Sequence, residues 1–180
     1  MYAGVTSTNV HNTELLLEKI NKKLEIDFHY SIDIDGFELF QLDLLDVVLE
    51  SDIDALWEAN KAAIIWHNHF VDANGLLEIA LDRYKNMNDI YDYLMFLSIN
   101  NTDEFTLVAP KYKIDTTNLP YAVKDLEQKQ KALKDFIKDI KTVMARFESY
   151  DQLSIAGYYK TSKNIRAINR RMKNTSFAQI

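Results

Sequence analysis

The side chains with the most chemical promise sit in one patch, Trp66-His67-Asn68-His69-Phe70, because two imidazoles one residue apart are a common metal-binding pair. Such a pair can grip one ion on a strand. On a helix, residues two apart differ by about 200° and point to opposite sides. Residues 53–71 carry Leu56, Trp57, Ala63, Ile64, His67 and Phe70 at helical spacing. His67 is therefore expected as a core imidazole with a satisfied hydrogen bond, and His69 as a partly exposed one. His11 and His29 are too scattered to complete a site. The absence of cysteine removes thiolate nucleophiles, disulfides and cysteine-based metal centres. Gly4, Gly36, Gly75 and Gly157 lie too far apart for a phosphate-wrapping loop, and no serine occupies a G-x-S-x-G elbow. No catalytic residue, cofactor or metal ligand is assigned, and the chain is expected not to be an enzyme.

Ser31-Ile32-Asp33-Ile34-Asp35-Gly36 is the second candidate. These residues resemble the first motif of haloacid-dehalogenase-like phosphatases, a hydrophobic strand ending in D-x-D-G. The resemblance implies Asp33 as the group that attacks phosphorus and Asp35 as the acid. That family also needs a parallel sheet, a lysine and a later acidic pair for magnesium, whereas the sequence after Gly36 has no alternating βα pattern. The same residues fit a type I′ hairpin turn without any chemistry. Read as a calcium loop, they place Leu44 where a bidentate glutamate is required.

The elements that carry these residues follow from their spacing. Asn12 or Thr13 caps a first helix to about Lys23, with Leu15, Leu16, Leu17 and Ile20 as its apolar face and Glu14 in its first turn. The alternation Leu24, Ile26, Phe28, Tyr30, Ile32, Ile34 then predicts a strand, Asp35-Gly36 a turn, and residues 37–42 the returning strand of a hairpin. Ser51 and Asp54 signal the start of a central helix that Asn74-Gly75 ends. Two more helices are expected, over residues 76–85 and from Asn88 to residue 99. Residues 100–103 read as a turn and residues 105–108 as a short third strand stopped by Pro110.

From Asn118 onward the pattern sharpens. Leu119, Val123, Leu126, Gln130, Leu133, Ile137, Ile140, Met144 and Phe147 repeat with 4,3 spacing, with Pro120 in the first turn. A helix over about 119–149 would be about 45 Å long. Leu126, Gln130, Leu133, Ile137, Ile140 and Met144 are the candidate oligomer seam, with Gln130 as the polar residue that could set register. Ala122, Phe136 and Val143 widen the stripe, which favours packing within the chain's own domain. Beyond Gly157, Ser162 caps a last helix over residues 163–173, with Ile165, Ile168 and Met172 as a narrow apolar stripe.

The fold class expected is α+β, mainly α: a helical core with a small hairpin, one long heptad helix and a basic tail. The divisions are an N-terminal arm over 1–12, one globular domain over 13–155 and a basic C-terminal arm over 156–180. Apolar residues make up 47% of the 180, enough to build a core, and no run reaches the roughly 18 residues of a membrane span. The first ten residues lack the basic and apolar regions of a signal peptide, so a cytoplasmic location is expected, or a virion if the protein is viral.

Net charge is −6, yet Lys160, Lys163, Arg166, Arg170, Arg171 and Lys173 give the last 25 residues +6 with no acid, leaving −12 on the rest. Those six cations, with Tyr158 and Tyr159, form the candidate partner-binding site. Their partner is a protein or, through the tail, nucleic acid; no membrane partner is expected. Two arms flanking a body suit a non-enzymatic assembly or adaptor protein that docks onto others as a homo-oligomer or part of a larger assembly, with a tailed-phage virion component such as a head–tail connector as the specific expectation. The alternatives are an acidic inhibitor that mimics nucleic acid and a nucleic-acid-binding protein that uses the tail.

Overall fold

A computed structural model describes residues 7–33 and 52–178. Its elements are α1 (Ser7–Phe28), α2 (Ile53–Asn100), α3 (Thr102–Val108), a 3-10 turn (Ala109–Tyr112) and α4 (Leu119–Ala178). No strand occurs among the described residues, so the class is all-α and the α+β expectation is corrected.

Two apparent strands fail for one reason. On a strand Leu24 and Ile26 would share a face; on α1 they point apart, leaving Leu24 0% and Ile26 76% exposed. The decisive pattern is Val10, Thr13, Leu17, Ile20 and Leu24, all buried, whose 3,4,3,4 spacing continues one helix past residue 23. Residues 105–108 repeat the lesson, with Phe105 0% and Leu107 74% exposed on opposite sides of α3. The returning strand expected over 37–42, and the Asp35-Gly36 turn before it, lie outside the described residues.

Local signals set the helix ends. His29, with φ 59°, closes α1. The Asn21 carboxamide then holds Ile32 on both sides, accepting from its N–H at 2.8 Å and donating to its carbonyl at 2.9 Å. Asp52 caps α2, its Oδ1 accepting from the Asp54 N–H at 2.9 Å. Asn101 caps α3 through the Glu104 N–H at 3.2 Å. Asn118 caps α4 through the Tyr121 N–H at 3.4 Å, with Pro120 in the first turn as the spacing requires.

Three expected breaks are absent. α2 runs through Asn74-Gly75 and on through residues 86–87, and α4 continues past Ser149 and Gly157 to Ala178 instead of restarting at residue 163. The reason in α4 is that its buried stripe goes on past Phe147: Tyr150, then the small Ser154, Gly157 and Thr161, and Ile165 follow in register.

The chain divides into two units, residues 1–76 with 143–180, and residues 77–142. In the first, α1, the start of α2 and the end of α4 bury Ile20, Leu24, Leu56, Phe70, Phe147 and Tyr150. The Phe70 ring lies 5.6 Å from Phe147 and 6.2 Å from Tyr150, centroid to centroid. Thr13, fully buried on α1, lies 3.1 Å from the Tyr150 hydroxyl and accepts from Arg146 at 3.1 Å. Burial chiefly pushes the Tyr150 phenol above its ordinary value, with the Thr13 hydrogen bond opposing.

In the second unit, Leu94, Leu97, Phe105, Ala109, Ile114, Ala122 and Leu126 form one buried cluster around α3 and the 3-10 turn. Lys113, at φ 62°, turns the chain toward α4. Tyr84 meets Phe136 edge to face at 5.1 Å.

Candidate functional site: a groove that runs into a cationic helix face

In the first unit α2 has a seam of its own. Leu56, Asn60, Ala63, His67, Phe70 and Asn74 repeat with 4,3 spacing and are buried or half-buried. Asn60, His67 and Asn74, seven residues apart, are polar, and each finds a partner on α4. Asn60 Nδ2 donates to Ser162 Oγ at 2.9 Å, Thr161 Oγ1 at 3.0 Å and the Tyr158 carbonyl at 3.4 Å. His67 Nδ1 lies 2.8 Å and 3.0 Å from the two Asp151 carboxylate oxygens. Asn74 Nδ2 donates to the Met144 carbonyl at 3.2 Å. This ladder pairs polar groups on a packed surface, leaving Asn74 Oδ1 buried without a hydrogen bond among the described residues, and fixes which turn of α2 faces which turn of α4.

Beside the ladder lies a groove of about 410 Å³. Ala63, Ile64 and His67 line it from α2; Ser154, Ile155, Tyr158 and Tyr159 line it from α4. The two tyrosine rings meet edge to face at 5.4 Å. Trp57, Ile64 and Val71, seven residues apart along the same side of α2, are all about half exposed. Burial drives the Asp151 carboxyl above its ordinary value, although the hydrogen bond and charge of His67 work the other way.

Ser154, His67 and Asp151 are the residue types of a nucleophilic triad. The Ser154 hydroxyl is buried and makes no hydrogen bond among the described residues, His67 included, so the imidazole does not activate it. His69 turns edge-on to Trp66 at 5.4 Å, on the other side of the helix from the ladder. Among the described residues no group of three or more histidine or carboxylate side chains could hold a metal ion.

The cations expected as a tail are the exposed surface of a continuing helix. Lys160, Lys163, Arg166, Arg170, Arg171 and Lys173 are all exposed. Ile155, Tyr159, Lys163, Arg166, Arg170 and Lys173 fall on one face of α4 by their 4,4,3,4,3 spacing, so the groove's α4 wall leads into four cations. Lys160 and Arg171 point well away from that face. The expected seam residues Leu126, Gln130, Leu133, Ile137 and Ile140 are buried and Met144 half-buried, all within the single chain. Gln130 donates to Asn88 Oδ1 at 3.5 Å and also to Asp92 Oδ1.

Of the groove residues, Ile64 belongs to the apolar face expected for the central helix, whereas Asp151, Ser154 and Ile155 carried no signal read from the sequence. The α2 seam itself becomes visible once Asn60, His67 and Asn74 are counted as seam positions. Comparison with known protein families, with curated proteins and with solved structures found no match. No helix among the described residues is long and apolar enough to cross a membrane.

Proposed function

We propose that the chain is a non-enzymatic docking protein, an adaptor or assembly subunit, that receives an acidic amphipathic helix along the groove and cationic face of its first unit. The observation that carries this reading is the single face of α4 on which Ile155 and Tyr159 lead into Lys163, Arg166, Arg170 and Lys173. An apolar groove alone fits many partners, and a cationic helix alone fits any polyanion. Joined end to end, they fit a segment with leucine-type side chains at i, i+3, i+4 and i+7 and carboxylates beside them. Apolar burial would supply most of the affinity, at about 25 cal/mol per Å². The cations would speed encounter and set direction, each exposed pair adding about 0–1 kcal/mol.

The test is calorimetric titration of the full chain with a synthetic amphipathic peptide of alternating leucine and glutamate faces, with a scrambled peptide of the same composition, and with duplex DNA. The reading expects the ordered peptide to bind at least tenfold more tightly than the scrambled one, and DNA to bind weakly with a steep salt dependence. DNA binding tighter than both peptides, with the two peptides alike, overturns it in favour of a nucleic-acid partner.

A further inference from the structure

We infer that the second unit carries an anion site for a multiply charged phosphate group, built by Lys85 and Asn88 of α2 and Lys134, Lys138 and Lys141 of α4. These side chains, over Ile137, line one depression of about 350 Å³. Lys134, Lys138 and Lys141 share a face of α4 by their 4,3 spacing, and Lys85 joins them from the other helix.

Some lysines elsewhere in the chain pair along their own helix: Lys129 with Asp125 at 2.7 Å, Lys23 with Asp27 at 3.4 Å and Lys61 with Glu58 at 3.6 Å. Lys85, Lys134, Lys138 and Lys141 form no ion pair among the described residues. Lys85 has Asp82 and Asp89 at the spacings that pair on a helix and engages neither. Lys134 and Lys138 stand four apart, an arrangement that disfavours an isolated helix. A chain with net charge −6 thus keeps four ammonium groups together around a hollow, with no carboxylate in its lining among the described residues.

Asn88 adds a directed donor. Its Oδ1 accepts from Gln130, which turns its Nδ2 hydrogens to other partners. Four point charges and an amide donor around a hollow of this size suit a compact oxyanion bearing two or more negative charges. Inorganic tripolyphosphate and the triphosphate end of a nucleotide share that chemistry. A single carboxylate or a monovalent anion would leave most of the lysines unneutralised. This site does not depend on the groove of the first unit.

The test is titration of the full chain with sodium tripolyphosphate, with magnesium-free ATP and with sulfate, all at matched ionic strength. Tripolyphosphate and ATP should bind with one-to-one stoichiometry, at least tenfold more tightly than sulfate. Lys138→Gln with Lys141→Gln should lower that affinity at least tenfold, and Lys138→Arg with Lys141→Arg should preserve it. Replacing Lys163, Arg166 and Arg170 by glutamine should leave it unchanged. ATP tighter than tripolyphosphate would mean that the base is read as well. Affinity equal to that for sulfate, or a loss that follows the Lys163, Arg166 and Arg170 replacements instead, overturns the inference. Circular dichroism of each variant confirms that it folds.

Discussion

Gly75→Ala tests the continuity of α2, because a turn and a helix at that position predict opposite signs. Asn74-Gly75 is the strongest turn dipeptide in the described sequence, yet α2 runs through it as one helix from Ile53 to Asn100. Gly75 is exposed, and a Cβ built there meets nothing within 4 Å. Nothing opposes the gain in helix propensity, about 0.8–1 kcal/mol for glycine to alanine in a helix interior. In a chain of 180 residues that corresponds to a rise of about 2–4 °C in melting temperature. The assay is urea unfolding followed by circular dichroism, with the midpoint expected to rise at an unchanged slope. If Gly75 instead sat in a left-handed turn, alanine would cost about 1–2 kcal/mol. A fall in the midpoint refutes the continuous helix, and with it the register that lines up Asn60, His67 and Asn74.

Phe147→Ala should destabilise the chain by about 3–5 kcal/mol in the same assay, since its fully buried ring packs against Phe70; a cost below about 1 kcal/mol would mean that this core is not formed. Asn60→Ala, which removes a buried donor shared by three α4 oxygens, should cost about 1–3 kcal/mol, and a neutral result would contradict the ladder. Asp151 titrates above its ordinary 3.8 because burial disfavours its charge, so the folded chain keeps a proton that the unfolded chain has lost. Stability contributed by this group therefore falls as pH rises from about 3.8 through the raised value, and Asp151→Asn should flatten that part of the stability curve relative to the parent; an Asp151→Asn profile parallel to the parent's rules this out.

What could be read in the sequence was the element whose two periodicities agree. Between Leu119 and Phe147 every seam position but Gln130 is apolar, and Asn118 with Pro120 marks the start, so sequence and structure give the same helix there. The cationic character of the C-terminal residues was equally plain. The α2 seam was hidden because Asn60, His67 and Asn74 occupy one of its two repeating positions, and their pairing with α4 shows only in three dimensions. The false first strand arose because Leu24, Ile26, Phe28, Tyr30, Ile32 and Ile34 alternate, while the helical 3,4 pattern of Val10, Thr13, Leu17 and Ile20 reaches into that stretch only through Leu24. Gly157 looked like a break for a related reason. A small residue at a buried heptad position permits close helix packing, yet in isolation it carries the signature of a turn.

A charge swap on the α4 face tests the docking reading most directly. Lys163→Glu, Arg166→Glu and Arg170→Glu are made together in the full chain, and the acidic amphipathic peptide is matched by one with lysine in place of its glutamates. Three exposed pairs at about 0.5 kcal/mol each amount to roughly a tenfold change in affinity. The account predicts that the variant loses at least that factor for the acidic peptide and regains it for the basic one, while the parent shows the reverse preference. Equal binding of both peptides by parent and variant would show that these cations do not face the partner, and the proposed docking surface would be wrong.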